Sequence, residues 1–327
     1  MVKPASEARG SGFRARMRST WAFFREGRRT PGYSLRDGLH GYVYARWPYL
    51  YIGFATGERR LPRWLRPIVE AIGRRLTGAR GVSDPAAIQR QFADAYHGKV
   101  VSTAAAERLV TLSSPIELHD LEQIIPYEKA RDIVLREPDH LVALECPCRS
   151  ERENPCLPLD VCLIVGEPFA GFVSAHHPDR SHPVTQQEAV EILRAEHERG
   201  HVHHAFFKDA MLGRFYAICN CCSCCCGAMQ AWRNGTPMLA SSGYVCHVSD
   251  PSCKGCGVCV DACPFGALSL EDGKASVDRS ACMGCGVCTA NCPTGALSLV
   301  LAPEKGMPLE MDRLLASARG TESAVQR

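Results

Sequence analysis

The chain has 327 residues, of which 46% are hydrophobic and 19 are cysteine, and its formal net charge is +3. This length suffices for about two or three domains with a substantial core, and no apolar run reaches the roughly 18 residues of a membrane-spanning helix. Because no secretory signal is evident, we expect a cytoplasmic protein whose cysteines bind metal rather than form disulfides.

Residues 1–83 are predicted to form a basic N-terminal segment. Residues 1–81 contain 17 Lys and Arg against 5 Asp and Glu, whereas the rest of the chain contains 21 against 30. Aromatic residues are dense at 38–54, and apolar residues follow at helical spacing from Leu61 to Leu76. This pattern favours docking on the protein's own core or on a partner subunit. The alternative is that residues 38–76 contact the cytoplasmic face of a membrane; nucleic-acid binding is not expected.

Residues 84–242 are predicted to form a Cys-rich α/β domain. Helical spacing extends from 84 to 137, most clearly between Leu121 and Leu135. A capping box, Thr185-x-x-Glu188, predicts a helix that ends before Gly200. Strands are predicted at 140–145, 161–165, 202–207 and 214–219. Alternation of strands and helices indicates a small α/β or α+β domain.

Ten cysteines of this domain are candidates for binding metal. An i,i+2 pair in an extended chain projects both thiols to one side, so Cys146 and Cys148 can share a metal. In the run from Cys219 to Cys226, three consecutive cysteines cannot all face one metal. The predicted metal ligands are Cys146, Cys148, Cys156, Cys162, Cys219, Cys221, Cys222 and Cys224. They would hold one or two further iron–sulfur clusters or a zinc ion, or else remain free or redox-active thiols.

Two copies of one pattern, C-x2-C-x2-C-x3-C-P, follow within residues 243–302. The first copy contains Cys253, Cys256, Cys259 and Cys263, and the second contains Cys282, Cys285, Cys288 and Cys292. The two 18-residue segments are offset by 29 residues and are identical at 13 of 18 positions. Paired C-x2-C runs also bind structural zinc, but the tandem repetition and the C-x3-C-P endings favour iron–sulfur clusters. Cys246, just upstream, is expected to be a buried side chain rather than a ligand.

This repeat resembles the bacterial two-cluster ferredoxin family over about residues 243–302. The resemblance implies two [4Fe–4S] clusters, with the fourth cysteine of each run binding the other cluster. It assigns Cys253, Cys256, Cys259 and Cys292 to cluster 1, and Cys282, Cys285, Cys288 and Cys263 to cluster 2. Residues 303–327 are a C-terminal tail.

The sequence therefore predicts an α+β protein, in which a C-terminal ferredoxin-like module is fused to a Cys-rich α/β domain and a basic N-terminal segment. We predict an iron–sulfur electron-transfer protein, a ferredoxin-like subunit or partner of a larger oxidoreductase, whose partners are redox proteins. No phosphate-binding glycine loop, G-x-G-x-x-G fingerprint or Ser/His/Asp arrangement stands out, which argues against a self-contained flavin- or nicotinamide-dependent enzyme. No catalytic residue is assigned. The alternatives are a reductase whose active site is the cysteines of 146–226, fed by the module, and a membrane-surface electron-transfer adaptor.

Overall fold

The computed structural model describes residues 5–60, 62, 67, 71 and 84–317, with side chains from residue 12 onward. The predicted apolar stripe between Leu61 and Leu76 therefore lies almost entirely outside the described residues. Among the helices of the described ranges, none is long and apolar enough to cross a bilayer.

Three helices precede the first gap in the described chain: α1 (Ala5–Arg29), α2 (Leu35–Arg46) and α3 (Pro48–Ala55). Ser34 caps α2 through a capping box with Asp37. The aromatic stretch at 38–54 thus forms α2 and α3. These helices pack on the sheet, because Phe23, Tyr44 and Ile52 are buried in the same core as the strands.

The core is built on an eight-stranded sheet in the order β2-β3-β4-β7-β6-β1-β8, with β5 paired to β3. Its pairs are antiparallel except β1 with β8. The strands are β1 (Tyr96–Val100), β2 (Ile116–Leu118), β3 (Ile133–Leu144), β4 (Cys162–Glu167), β5 (Ser181–Val184), β6 (Val202–Lys208), β7 (Arg214–Cys221) and β8 (Leu239–Ala240).

Helices connect these strands and cover the sheet. They are α4 (Pro85–Ala95), α5 (Thr103–Val110), α6 (Pro147–Ser150), α7 (Phe169–His176), α8 (Gln186–Glu198) and α9 (Gly227–Arg233). The capping box of Thr185 and Glu188 is present and begins α8, as predicted. The predicted strands also form, within β3, β4, β6 and β7.

The prediction of helix from 84 to 137 is wrong for much of that range. Helices α4 and α5 form, but β1 lies between them, and β2 and the start of β3 follow. Around Leu121 the chain makes a single turn, in which the amides of Ile124 and Ile125 donate to the Leu121 carbonyl. Pro126 prevents this turn from continuing, since it disfavours helical backbone at the preceding residue. The apolar spacing therefore reflects buried residues of a turn.

The C-terminal module contains two copies of one small structural unit. β9 (Tyr244–Val248) pairs antiparallel with β12 (Leu297–Leu301), and β10 (Leu268–Glu271) pairs with β11 (Lys274–Val277). Two short helices, α10 (Val258–Ala262) and α11 (Val287–Ala290), each begin after a left-handed glycine, Gly257 or Gly286. The sequence repeat thus appears as a structural repeat, and the chain as a whole is mixed α+β.

Candidate metal centres

The eight cysteines of the ferredoxin motifs line two separate small cavities. One cavity is lined by Cys253, Cys256, Cys259 and Cys292. The other is lined by Cys263, Cys282, Cys285 and Cys288. The structure therefore brings together the two sets of four thiols that the resemblance assigned to clusters 1 and 2.

Backbone amides point at several of these sulfurs. The amide of Ala275 lies 3.5 Å from the Sγ of Cys253, and that of Ala267 lies 3.3 Å from the Sγ of Cys263. Hydrogen bonds from the Ala275 and Gly255 amides lower the pKa of Cys253. Amide donors favour thiolate over thiol and are the means by which proteins tune cluster potentials. The chemistry of each cavity therefore fits a [4Fe–4S] cluster.

Glycines let each cysteine loop pack closely on neighbouring backbone. Gly255 has φ +65°, and a Cβ there would lie 2.1 Å from the carbonyl oxygen of Gly273. Gly284 has φ +64°, and a Cβ there would lie 2.2 Å from the carbonyl oxygen of Tyr244. Neither position accepts a side chain without displacement of backbone.

The two cavities differ in their exposure to solvent. Cys256 of the first is exposed, whereas Cys282, Cys285 and Cys288 of the second are each at least nine-tenths buried. Cys285 and Val287, two residues later, also belong to the core that contains the main sheet. We call the first the outer site and the second the inner site.

Cys246 on β9 lies at the inner site, where the sequence predicted a buried side chain that is not a ligand. It is 3% exposed and lines the same cavity as the four inner cysteines. Contact with the Cys288 thiol, together with burial, raises the pKa of Cys246. Cys246 precedes Cys282 by 36 residues in the sequence, and the pairing of β9 with β12 brings it beside the second motif. The spacing of cysteines in the sequence does not indicate that Cys246 lies at the inner site.

Six of the ten upstream cysteines form an open ring, which we call the cysteine ring. Successive thiols are in contact along the series Cys219, Cys162, Cys146, Cys148, Cys226 and Cys221. Contact with Cys148, together with burial, raises the pKa of Cys146 to about 12. Metal binding to the ring must therefore displace protons.

Strand pairing places the ring sulfurs. Cys219 and Cys221 project to one side of β7 because they are two residues apart. Cys162 begins β4, which pairs with β7 through Leu163 and Ile218. The Cys146 and Cys148 thiols come together after the end of β3, but not through the extended backbone that the sequence prediction assumed, because Cys148 lies in α6 and Cys146 precedes that helix.

A buried arginine fixes the loop that carries Cys146 and Cys148. Arg149 is 1% exposed and forms an ion pair with Glu196 of α8, which is also 1% exposed. Its guanidinium donates to the carbonyl oxygens of Pro158 at 2.6 Å and Asn220 at 2.9 Å. One side chain therefore ties this loop to β7 and to α8.

The remaining four upstream cysteines form a second, more compact group. The Sγ atoms of Cys156, Cys222, Cys224 and Cys225 all lie within 4.8 Å of one another. Those of Cys156 and Cys224 are 3.0 Å apart, and those of Cys224 and Cys225 are 3.6 Å apart. We call this group the four-cysteine site.

Neighbouring cysteines of the run are divided between the two groups. Cys221 belongs to the ring and Cys222 to the four-cysteine site, whereas Cys225 belongs to that site and Cys226 to the ring. This division agrees with the expectation that three consecutive cysteines cannot all face one metal. Cys225 and Cys226 are absent from the eight predicted ligands, because the division depends on where β7 ends.

Two nearby histidines, His201 and His203, use their Nδ1 atoms in hydrogen bonds to other side chains. His203 Nδ1 pairs with Asn220 Oδ1 at 2.6 Å, and His201 Nδ1 pairs with Glu196 Oε2 at 2.7 Å. Both rings therefore serve the polar network around Arg149.

The ring lies at the wall of a cavity of about 220 Å³. Apart from the ring, the wall is mostly aromatic and aliphatic, and it includes Tyr44, Tyr96, Tyr216, Phe206 and Met238. The hydroxyl oxygen of Tyr44 lies 2.8 Å from that of Tyr216 and 3.4 Å from that of Tyr96. A network of three phenols thus faces the same space as six thiols.

A buried lysine lies beside the phenols. Lys208 is 2% exposed, and its Nζ lies 4.8 Å from the ring centroid of Tyr44 and 4.3 Å from that of Tyr96. Burial lowers the pKa of Lys208 to about 8. No sequence pattern signals the phenol network, because α2, β1 and β7 each contribute one tyrosine.

The repeated unit and its two four-thiol cavities define a module that binds iron–sulfur clusters. Comparison with known families agrees, since residues 252–296 match the family model of a 4Fe-4S dicluster domain. The C-terminal module is therefore a ferredoxin-type dicluster domain, and the predicted resemblance is confirmed. The match leaves the cysteine ring and the four-cysteine site outside its range, and no curated protein matches the chain with significance. The domain and the many cysteines indicate a role in iron–sulfur electron transfer.

Proposed function

We propose that this protein is a ferredoxin-like subunit or partner of a larger oxidoreductase, in which the dicluster module conducts electrons between an external redox protein and a further iron–sulfur centre in the cysteine ring. The observation that carries this proposal is the graded burial of the three cysteine groups. The outer site includes the exposed Cys256, three of the four cysteines of the inner site are buried, and four of the six ring cysteines belong to the main core. Such an order suits one-electron steps that begin at the surface.

Helix α9 supports a route between the module and the ring. The helix begins directly after Cys226, and its Ala228 and Ala231 line the cavity beside the ring. Trp232 on the same helix contacts Phe265, which lies two residues after Cys263 of the inner site. A continuous run of packed side chains therefore joins the two sites.

The surface near the outer site suggests the charge of the external partner. The carboxylates of Asp250, Asp261, Glu271 and Asp272 lie in the segments around its cysteines. These four carboxylates outnumber the two nearby cations, Lys254 and Lys274, and the Nζ of Lys274 is held by the carbonyl oxygens of Asp250 and Cys253. We expect a redox protein with a basic docking face, and association that weakens as salt rises.

Anaerobic reductive titration tests the proposal. The full chain, reconstituted with iron and sulfide, should take up about two electrons in the dicluster module and at least one more in the ring, since each cluster accepts one electron. Cys146→Ser combined with Cys219→Ser should remove the additional electron and leave the module's signals in electron paramagnetic resonance unchanged. Uptake of no more than two electrons by the wild-type chain would contradict a redox centre in the ring.

The cavity beside the ring favours a second function, a reductase whose active site is the ring. A preformed apolar space with a few polar groups is typical of a small-molecule site. Reduction of an organic disulfide would consume two electrons, delivered singly through the module from the external donor, and two protons, and would release two thiols. Tyr44 and Tyr216 line the cavity, and their hydroxyls are hydrogen-bonded to each other. Burial raises the pKa of both phenols, so they stay neutral and can donate hydrogen bonds to a developing thiolate, while the two protons come from solvent.

Reoxidation of the dithionite-reduced protein by bis(2-hydroxyethyl) disulfide tests this second function. Release of two thiols per disulfide is expected, and Tyr44→Phe with Tyr216→Phe should slow that release without changing the iron content. If the wild-type protein is not reoxidised by the disulfide, or if the double variant reacts at the wild-type rate, this role is wrong for that substrate class.

A further inference from the structure

We propose that Cys156, Cys222, Cys224 and Cys225 bind a single tetrahedral metal ion, preferentially zinc, and that this ion is separate from every iron–sulfur centre of the chain. The proposal does not depend on the function argued above. It depends on the geometry of four thiols that neither the ferredoxin motifs nor the cysteine ring uses.

The spacing of the sulfurs fits one ion. Four thiolates at about 2.3 Å from a tetrahedral Zn²⁺ lie about 3.8 Å from one another. The measured separations of 3.0 Å and 3.6 Å, with all four Sγ atoms within 4.8 Å, bracket this value. Little rearrangement is needed for the four sulfurs to surround one ion.

The same spacing argues against a cluster at this site. Among the residues that the structure describes, no other set of three or more Cys, His, Asp or Glu side chains is brought together this closely. The two sets of four ferredoxin cysteines are therefore less compact than the four-cysteine site, and each set lines a cavity that fits a polynuclear cluster. A set of thiols more compact than these is suited to a mononuclear ion.

The turn that carries three of the cysteines is held by side chains outside it. Arg152 donates to the carbonyl oxygen of Cys225 at 3.0 Å, and Arg233 donates to that of Ser223 at 2.6 Å. The amide of Cys225 also lies 3.4 Å from the Sγ of Cys222. These contacts fix the backbone between the ligands, as outer partners do in closed structural sites.

The chemistry of the site selects its occupant. Four cysteines leave no position for water or substrate, which is typical of structural zinc rather than catalytic zinc. Thiolates are soft ligands, and among common metals they select zinc, copper(I) and iron. The ion would tie the loop containing Cys156 to the Cys222–Cys225 turn, and so direct Cys221 and Cys226 into the ring.

Metal and sulfide analysis of the full chain, purified anaerobically, tests the proposal. We expect about one zinc ion per chain, as in structural sites with four cysteine ligands. Cys156→Ser and Cys224→Ser should each lose the zinc and retain the acid-labile sulfide. Ser223→Ala, in the same turn, and Cys148→Ser, in the ring, are the matched controls and should keep the zinc.

Two results would overturn the proposal. One is zinc-free wild-type protein whose iron and sulfide fall together in the Cys156→Ser variant, because that loss identifies a cluster. The other is a metal content that neither substitution changes. If the wild-type protein instead contains one iron ion without sulfide, and both variants lose it, the single-ion site is supported and its metal is iron, not zinc.

Cobalt provides a second measurement that does not need a variant to fold. Co²⁺ added to the zinc-depleted wild-type chain should give the intense visible absorption of a tetrahedral thiolate complex, and equimolar Zn²⁺ should abolish it. Absence of that absorption in protein that retains its iron–sulfur spectrum would contradict a tetrahedral site.

Discussion

The indole of Trp232 meets the ring of Phe265 edge to face, with the ring centroids 5.1 Å apart. This contact joins the helix that follows the upstream cysteines to the loop that follows Cys263. We predict that Trp232→Ala slows electron transfer from the module to the ring, because the packed path is replaced by a gap. Stopped-flow reduction with dithionite, followed by visible absorbance, measures this rate.

Trp47→Ala is the matched control for that experiment. Trp47 is 43% exposed and lies between α2 and α3, outside the helix that contacts Phe265. Its removal should leave the reduction kinetics unchanged. Equal rates in the Trp232→Ala and wild-type proteins would show that electrons do not pass by this contact.

A second prediction concerns the glycine turns of the ferredoxin motifs. Gly284→Ala should lose the inner cluster, about four irons per chain, because its Cβ would lie 2.2 Å from the Tyr244 carbonyl oxygen. Gly295→Ala should keep that iron, since it has a similar φ of +63° with nothing within 4 Å of the added Cβ. The Gly295 variant should lose only about 1–3 kcal/mol of stability through backbone strain. Iron analysis after anaerobic reconstitution distinguishes the two variants.

A third prediction concerns the buried pair of Arg149 and Glu196. Arg149→Met leaves the Glu196 carboxylate buried with its strongest partner removed, which should cost about 3–5 kcal/mol of folding free energy. The loss should lower the thermal midpoint and the iron bound upstream, since Arg149 ties the Cys146 loop to β7. Arg194→Met, which removes an exposed ion pair with Glu107, should change the midpoint little. Similar midpoints for both variants would show that the buried pair does not organise this loop.

The sequence predicts the parts of these sites that are local. The eight ferredoxin cysteines lie in two short loops, so their spacing alone identifies the module. The upstream groups depend on distant contacts instead: Cys156 meets Cys224 across 68 residues, and Cys162 meets Cys219 across 57. Periodicity likewise failed between Leu121 and Leu135, because it reports buried side chains and cannot distinguish a buried turn from a helix.

A final prediction concerns His97 of β1 and the acid stability of the fold. His97 is fully buried against Tyr127, with the ring centroids 3.7 Å apart, and its Nδ1 lies 2.8 Å from the Ala93 carbonyl oxygen. Burial, reinforced by the charge of Lys208, lowers the pKa of His97 to about 4. The His97 imidazole therefore becomes protonated below about pH 6.5 in the unfolded chain, but only below about pH 4 in the folded chain.

Stability should consequently fall as pH drops through that window, with His97 contributing up to about 3 kcal/mol. His97→Phe keeps the stacked ring and removes the titration, so its thermal midpoint should decline less between pH 6.5 and pH 4.5. At pH 8, where the imidazole is neutral in both states, the variant should be slightly less stable because the hydrogen bond to Ala93 is lost, at about 1 kcal/mol. Acid release of metal affects both proteins alike, so the difference between their midpoints isolates His97. Parallel midpoint curves for the variant and the wild type from pH 8 to pH 4.5 would contradict this assignment.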